Sequence, residues 1–171
     1  MPANPQPGYA EDRAAIENLM ARYLFAMDWG DFEAYAAMFT EDGRLDYAGG
    51  TATGHAAIAE TVKAFKERIG QVYVDAEGKP AKLRHVLAQT VIRVEGDRAW
   101  STAFWYEMAN DGPGGAPKMG TFGTYEDELR RVGGRWLFVS RRINNEFLAG
   151  RGTGDASPVR KLDEAADAAA G

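Results

Sequence analysis

The sequence predicts one α+β domain, in which helices from the first half pack against a curved antiparallel or mixed sheet from the second half. Three observations support this class. Apolar residues recur at helical spacing in the N-terminal half, four long β-rich runs follow Lys82, and the turn-like segments EGDR, NDGPGGAPK and GG separate those runs. With 171 residues and 45% hydrophobic content, the chain is long enough for a single sizeable core.

The first helix is predicted from apolar spacing of three and four between Ile16 and Met27. A Trp-Gly-Asp sequence then interrupts the pattern. Asp31 is the expected N-cap of a short second helix, which ends at a predicted turn over residues 40–43.

Beyond this turn, residues 44–48 predict a short strand, and the glycines of residues 49–54 predict a loop. Helical spacing returns from Ile58 to Ile69 and predicts a third amphipathic helix. Four long strands then follow as hairpins. Their sequences are LRHVLAQTVIRV, AWSTAFWYEMA, MGTFGTYEDELRRV and RWLFVSRRINNEFL.

Composition divides the chain into three parts. Residues 1–8 are rich in proline and predict a flexible lead-in, and residues 9–149 form the predicted domain. Residues 150–171 are rich in Gly, Ala and charge, with few apolar anchors. We predict that this tail is mostly disordered, with at most a short helix over residues 160–170.

Charge and residue usage exclude several classes of function. The net charge of -5 argues against a nucleic-acid partner, because such binding relies on clustered Lys and Arg. The chain has no Cys and two His, so a dedicated metal site is poorly supplied and we expect no cofactor. No apolar segment is long enough to span a membrane. We therefore expect a cytoplasmic protein that acts on a small molecule.

Asp28 and His85 are the first candidates for chemistry. Asp28 lies at the edge of the apolar face of the first helix, where it either bonds a neighbouring loop or pairs with a buried partner. His85 opens the first long strand on its mixed face, which suits either solvent or a pocket with a few polar groups. Its side chain is the best suited to proton transfer near neutral pH. His55 follows Gly54 at a helix start and is interpreted as a capping or surface residue.

The later strands supply further candidates. Ser101, Trp105 and Glu107 share one strand face, which predicts either core packing or the lining of a cavity. Arg141 alternates with apolar residues in the last strand, so it needs an anionic partner or ligand unless its stem extends to the surface. Glu107 is the carboxylate that an isomerase of the ketosteroid type would require.

The order of these elements, with DWGDFEAYAAMFTEDGRLDY, TGHAAI and GRWLFVSRR, resembles the SnoaL-like branch of the nuclear transport factor 2 superfamily over residues 9–148. The resemblance implies a cone-shaped α+β barrel whose strongly bent sheet leaves one deep, mostly apolar cavity. The chain most resembles the cofactor-free eliminating enzymes of that superfamily, namely scytalone dehydratase, bile acid 7α-dehydratase and hexachlorocyclohexane dehydrochlorinase.

The resemblance implies a catalytic pair inside the cavity. Asp28 matches the carboxylate that orients the histidine, and His85 matches the histidine whose other nitrogen takes a proton from the substrate. Tyr23 and Tyr47 match tyrosines that hold or protonate the departing oxygen.

The resemblance also implies a set of binding residues. Arg141 matches a cavity arginine that stabilises developing negative charge, although a register shift of one would favour Arg142. Ser101 stands where scytalone dehydratase carries a second cavity histidine. Trp29, and Trp105 together with the neighbouring Glu107, suit a flat aromatic ligand.

These residues together predict a cofactor-independent lyase that acts on a hydrophobic, aromatic, hydroxylated substrate. The reaction is loss of water or cleavage of a carbon–carbon bond with release of formaldehyde. The alternatives are a ketosteroid-type isomerase, a polyketide cyclase, and a binding or scaffold module without catalysis. The aromatic residues expected on the outer sheet face predict a homo-oligomer, a trimer by resemblance or else a dimer. These aromatic residues are Trp100, Phe104, Tyr106 and Phe122.

Overall fold

A computed structural model describes residues 8–170 as helices packed on both faces of one six-stranded sheet. The elements in chain order are α1 (Tyr9–Trp29), α2 (Phe32–Ala36), β1 (Phe39–Tyr47), β2 (Gly50–Thr53), α3 (His55–Val72), β3 (Arg84–Glu95), β4 (Arg98–Ala109), a 3₁₀ turn (Pro113–Gly115), β5 (Lys118–Val132), β6 (Arg135–Asn145) and α4 (Pro158–Ala170). Within this part of the chain, no helix is both long and apolar enough to cross a membrane.

The sheet has the strand order β2-β1-β6-β5-β4-β3 and is mixed, because β1 and β6 run parallel while the other neighbours run antiparallel. Helices α1, α2 and α3 bury their apolar faces against its inner side. This arrangement is the α+β, cone-like architecture, and it confirms the predicted fold class. Residues 1–7 of the predicted lead-in, 1–8, lie outside the described residues.

Helix α1 ends where its sequence predicts, and its end positions Asp28. Gly30 takes a left-handed conformation, with φ at 79°, and its N–H donates to the carbonyl groups of Ala26 and Met27. The side chain of Asp31 then caps α2 by accepting the N–H of Ala34 at 3.1 Å. Asp28 is 8% exposed and is thereby held at the inner side of the sheet.

The region between α2 and α3 differs from its prediction. Strand β1 already begins at Phe39, and β2 pairs with it where a loop was expected. The register of β1 against β6 shifts between Phe39 and Arg44, which indicates a bulge. The sequence had predicted a turn at this position. At this bulge a side chain on Gly43 would meet the backbone of Thr40 within 3.0 Å, which explains the glycine.

A second bulge determines which residues of β3 face inward. The register of β3 against β4 shifts between Leu87 and Thr90. Leu87 packs against the core before the shift, whereas Ile92 and Val94 do so after it. One strand therefore carries two inward-facing sets of opposite parity, and His85 belongs to the first set.

The C-terminal tail contains the short helix that its sequence allowed over residues 160–170. Its residues 158–170 form α4, which packs on the outer face of the sheet. Leu162 and Ala166 cover Trp100 there and leave it 7% exposed. Helix α4 shields this part of the aromatic outer face from solvent. A second subunit is therefore less necessary to cover this face than the sequence suggested. Phe122 remains 42% exposed, and the trimer stays a prediction.

Candidate active site

A cavity of about 330 Å³ lies between the helices and the inner face of the sheet. Its wall is mostly aliphatic and aromatic, which is typical of sites for small apolar ligands. Five tyrosines contribute to it, namely Tyr23, Tyr35, Tyr47, Tyr73 and Tyr125. Besides these tyrosines, Arg68, His85 and Glu107 line the cavity, and the last two adjoin each other.

His85 lines this cavity, and Asp28 contacts its ring from outside the lining. The Oδ1 atom of Asp28 lies 2.7 Å from Nδ1 of His85, and Oδ2 accepts the backbone N–H of His85 at 3.0 Å. The carboxylate therefore fixes both the ring and the strand that carries it. Lys66 of α3 donates to the backbone carbonyl groups of Met27 and Asp28, which ties the end of α1 to α3.

A second carboxylate stands at the other nitrogen of the ring. The Oε2 atom of Glu107 lies 3.4 Å from Nε2 of His85, and both side chains are nearly inaccessible to solvent. The cause is the strand register, because His85 of β3 pairs directly with Glu107 of β4. The imidazole is thus enclosed between two carboxylates, where the sequence suggested one.

Glu107 is itself anchored by residues that the sequence analysis missed. Its Oε1 atom accepts the Tyr73 hydroxyl at 2.7 Å, the Thr121 hydroxyl at 2.6 Å and the Thr121 N–H at 3.3 Å. A register shift in β5 opposite Glu107 brings Thr121 there. The one available signal was Gly120, because a glycine inside a strand marks a bulge or a close approach.

The two carboxylates determine the charge on the ring. Burial opposes protonation of His85, but hydrogen bonds and Coulomb attraction from Asp28 and Glu107 outweigh it and raise the pKa of His85 to about 9. Burial also favours the neutral acid of Glu107, yet its contacts with His85, Thr121 and Tyr73 lower the pKa of that carboxyl. At neutral pH the pair is therefore an imidazolium beside a carboxylate.

The raised pKa of His85 predicts a pH dependence of stability. An unfolded histidine titrates near 6.5, so protonation of His85 stabilises the fold fully below about pH 6.5. This contribution is lost as the pH rises through the folded pKa of about 9. We expect the free energy of unfolding, measured by urea titration, to fall between these values by on the order of a few kcal/mol. The His85→Gln variant should lose this slope, and an unchanged slope would assign it to another group.

Tyr23 and Tyr47 both line the cavity. Tyr23 is 2% exposed, and its hydroxyl oxygen accepts a hydrogen bond from Tyr35. Burial raises the pKa of both Tyr23 and Tyr35, so both hydroxyl groups stay protonated at neutral pH. Because the Tyr35 hydrogen is donated to Tyr23, the Tyr23 hydroxyl keeps its own hydrogen to donate to a ligand in the cavity.

Arg141 has a different position from the one that the resemblance implied. It is 1% exposed but lies in the core beside the cavity, where Nε and one terminal nitrogen bind Asp127 at 2.7 and 2.8 Å. Its guanidinium also lies 4.1 Å from the ring centroid of Tyr23. Arg142 binds Asp46 near the surface and does not line the cavity either. Neither arginine reaches the ligand space, and the assignment to anion stabilisation is corrected.

Two further assignments are corrected. Ser101 lies outside the cavity lining and donates to Asp127 at 2.8 Å, so it belongs to the same buried ion-pair cluster. Trp29 is 63% exposed, and the guanidinium of Arg84 lies 4.0 Å from the centre of one of its rings. Trp29 therefore covers the outside of the helix end instead of contacting a ligand.

Two side chains of the cavity wall carry buried polar atoms that have no hydrogen-bond partner among residues 8–170. They are Nε1 of Trp105 and Oδ1 of Asn145. Buried polar groups are nearly always satisfied in folded proteins, so unsatisfied ones at a cavity indicate a ligand with polar groups of its own. Trp105 also stacks on Tyr125, with ring centroids 5.8 Å apart. Metal-binding clusters of three or more His, Asp or Glu residues are absent between residues 8 and 170.

Comparisons with known proteins agree with this architecture. Residues 8–142 match the SnoaL-like domain family. No curated protein sequence matches the chain. Among solved structures, an NTF2-like protein with a cystatin-like fold from Novosphingobium aromaticivorans is 26% identical, with a TM-score of 0.66 over 90% of this chain and 89% of that one.

Two further structures show the same fold. A single-residue variant of Rv3472 from Mycobacterium tuberculosis, a protein of unknown function, is 24% identical, with a TM-score of 0.70 over 97% of this chain and 92% of that one. A candidate scytalone dehydratase of N. aromaticivorans is 21% identical, with a TM-score of 0.65 over 86% and 97% of the two chains. The family match covers most of the sequence and confirms the resemblance. The chain belongs to the SnoaL-like domain family of the nuclear transport factor 2-like superfamily.

Proposed function

We propose that this protein is a cofactor-independent lyase that eliminates water, or water with formaldehyde, from a hydroxylated aromatic substrate. The observation that carries the proposal is the contact of 2.7 Å between Asp28 and His85 at the wall of an apolar cavity. A buried carboxylate that fixes one ring nitrogen leaves the other to exchange a proton with a ligand.

The cavity wall supports the choice of substrate. Its volume of about 330 Å³ and its stacked Trp105 and Tyr125 rings suit a flat ring system of one or two rings. The unsatisfied N–H of Trp105 suits a carbonyl or hydroxyl oxygen of the ligand, and the unsatisfied amide oxygen of Asn145 suits a hydroxyl group that donates to it. An apolar body with a few oxygen substituents meets both conditions.

The tyrosines supply stabilisation for charge that develops on oxygen. Tyr23 and Tyr47 both line the cavity, and phenol hydroxyl groups that are shielded from water donate strongly to an oxyanion. We assign them to the carbonyl or departing oxygen of the substrate. A candidate scytalone dehydratase with the same fold is consistent with water as the leaving group.

The proposal is tested with two synthetic probes. The first is 3-hydroxy-1-tetralone, which loses water to give 1-naphthol, and the second is a 1,2-diarylpropane-1,3-diol, which loses water and formaldehyde to give a stilbene. We expect the wild type to release one of these aromatic products, as measured by absorbance and mass spectrometry, and the His85→Gln variant to lose this activity. Product release at equal rates by both proteins would remove His85 from the mechanism.

A ketosteroid-type isomerase is the second candidate, because Glu107 stands in the cavity wall as a carboxylate base would. An isomerase moves a proton between two carbons without loss of mass. Incubation with 5-androstene-3,17-dione distinguishes the two functions. A conjugated enone of unchanged mass from this steroid, with neither probe eliminated, would favour the isomerase.

A further inference from the structure

We propose that His85 is the general acid and Glu107 the general base of a syn elimination, in which both groups act on the same face of the substrate. This assignment rests on the proposed function and deepens it. It differs from the expectation that His85 takes the proton from substrate carbon while Asp28 supports it. It rests on the position of the second carboxylate.

The two oxygens of Glu107 have different environments. Oε1 accepts hydrogen bonds from the Tyr73 hydroxyl and from both the hydroxyl and the N–H of Thr121. Oε2 is the oxygen beside Nε2 of His85, at 3.4 Å. Glu107 and His85 both line the cavity, so Oε2 and Nε2 form one reactive edge toward a ligand. Tyr73 and Thr121 hold the carboxylate in this orientation.

The packing around Glu107 leaves this orientation little freedom. A side chain on Gly120 would meet the Tyr73 hydroxyl at 2.8 Å and Cγ of Glu107 at 3.0 Å. The strand therefore has a glycine where any larger residue would displace the anchor or the carboxylate. An isolated acidic side chain on a cavity wall would not require this arrangement.

The charges of His85 and Glu107 determine which of them acts as the acid and which as the base. Asp28 and Glu107 together raise the pKa of His85 to about 9, while His85, Thr121 and Tyr73 lower the pKa of Glu107. Two neighbouring groups whose pKa values are pushed apart are suited to act as acid and base. The protonated ring carries the proton to be given, and the ionised carboxylate has the free electron pair to take one.

The step balances within this pair. Glu107 Oε2 takes the proton from the carbon adjacent to the carbinol carbon, and the C–H electron pair becomes the new C=C bond. The C–O bond breaks, its electron pair stays with oxygen, and that oxygen takes the proton from His85 Nε2 and leaves as water. The enzyme then holds neutral His85 and protonated Glu107. Transfer of the proton from Oε2 to Nε2 restores the starting state without an external acid or base.

The geometry also determines the stereochemistry. His85 and Glu107 are direct partners on adjacent strands of one sheet, so the acid and the base lie on the same side of a bound ring. The proton and the hydroxyl group must then leave from the same face of the substrate. An anti elimination would require the base on the opposite wall.

Labelled 3-hydroxy-1-tetralone tests this directly. One enantiomer is prepared with deuterium at C2 either cis or trans to the hydroxyl group, and 1-naphthol is analysed by mass spectrometry at early times. We expect loss of the cis deuterium and retention of the trans deuterium. Loss of the trans deuterium, or equal loss of both, would overturn the assignment.

The pH dependence of turnover is an independent test. The charged and titratable groups bonded to or beside the pair are Asp28 from α1, Lys66 beside it from α3 and Tyr73 beyond α3. The other such groups in the same cavity lining are Arg68, Tyr23, Tyr35, Tyr47 and Tyr125. An acid role for His85 predicts that kcat falls as the pH rises through about 9, because the ring loses its proton. A base role for His85 predicts that kcat rises over the same range, and that result would contradict the proposal.

A matched pair of variants separates the roles further. Glu107→Gln should lower kcat by about 10² to 10⁴-fold, and Glu107→Asp should recover part of it. Glu128→Gln, which affects a glutamate paired with Arg98 near the surface, should keep full activity. Absence of product from both synthetic probes with the wild type would remove the proposed function and this assignment together. Full activity of Glu107→Gln would remove this assignment alone.

Discussion

Replacing His85 with glutamine is expected to lower kcat by about 10² to 10⁴-fold, because the amide can neither give nor take a proton in the step. Glutamine keeps a polar side chain of similar reach beside Asp28, so a gross change of the cavity is avoided. The measurement is steady-state release of 1-naphthol from 3-hydroxy-1-tetralone, with the folded state checked by circular dichroism.

His55→Gln is the matched control for this variant. His55 is the other histidine of the chain, and its Nε2 lies 2.9 Å from the carbonyl of Phe39, away from the cavity lining. We expect its kcat to match that of the wild type. Equal losses in the two variants would point to a general effect of histidine removal on folding and would contradict a specific role of His85.

Replacing Arg141 with methionine is expected to lower the free energy of unfolding by about 3 to 5 kcal/mol. The substitution leaves the Asp127 carboxylate buried with Ser101 as its remaining side-chain donor. It also removes the cation from between the rings of Tyr23, Tyr125 and Phe138. The measurement is urea unfolding followed by tryptophan fluorescence.

Arg142→Met is the control for this second prediction, because Arg142 is next in sequence and pairs with Asp46 at a partly exposed site. Such pairs contribute about 0 to 1 kcal/mol. We expect Arg141→Met to keep its activity per folded molecule at low temperature. A loss of kcat with unchanged stability would restore Arg141 to the anion-binding role that the resemblance implied.

The sequence was sufficient for the fold class and for the pair at the centre of the site. Apolar spacing predicted the first helix, and its end positions Asp28. The resemblance then matched Asp28 with His85, and the structure places their side chains 2.7 Å apart. Their catalytic role is proposed from this geometry.

Other features of the site depend on strand register and on contacts between strands, which the spacing of apolar residues in the sequence does not reveal. The bulge between Leu87 and Thr90 reverses the inward face of β3, so no single alternating pattern could assign His85 to the cavity. The register shift opposite Glu107 likewise brings Thr121 to that carboxylate. Arg141 alternates toward the inside as expected, but its partner Asp127 comes from a neighbouring strand and keeps it out of the ligand space.

The packing of the C-terminal helix on the sheet was not predicted for a different reason. Its composition is dominated by Ala and charged residues, which is typical of disordered segments. Two apolar positions, Leu162 and Ala166, are nevertheless spaced by one helical turn and meet Trp100 on the sheet. A short docking stripe of this kind becomes recognisable once the outer face of the sheet is known.

Nitrogen NMR of histidine-labelled protein tests the central claim most directly, since it observes the proton on His85 without any substrate. The chain has two histidines, and the His55→Gln variant assigns the signals. We predict that both ring nitrogens of His85 are protonated at neutral pH, that the ring titrates with a pKa of about 9, and that Glu107→Gln lowers this value. A His85 ring that is neutral at about pH 7 and unaffected by Glu107→Gln would contradict a proton held between two carboxylates.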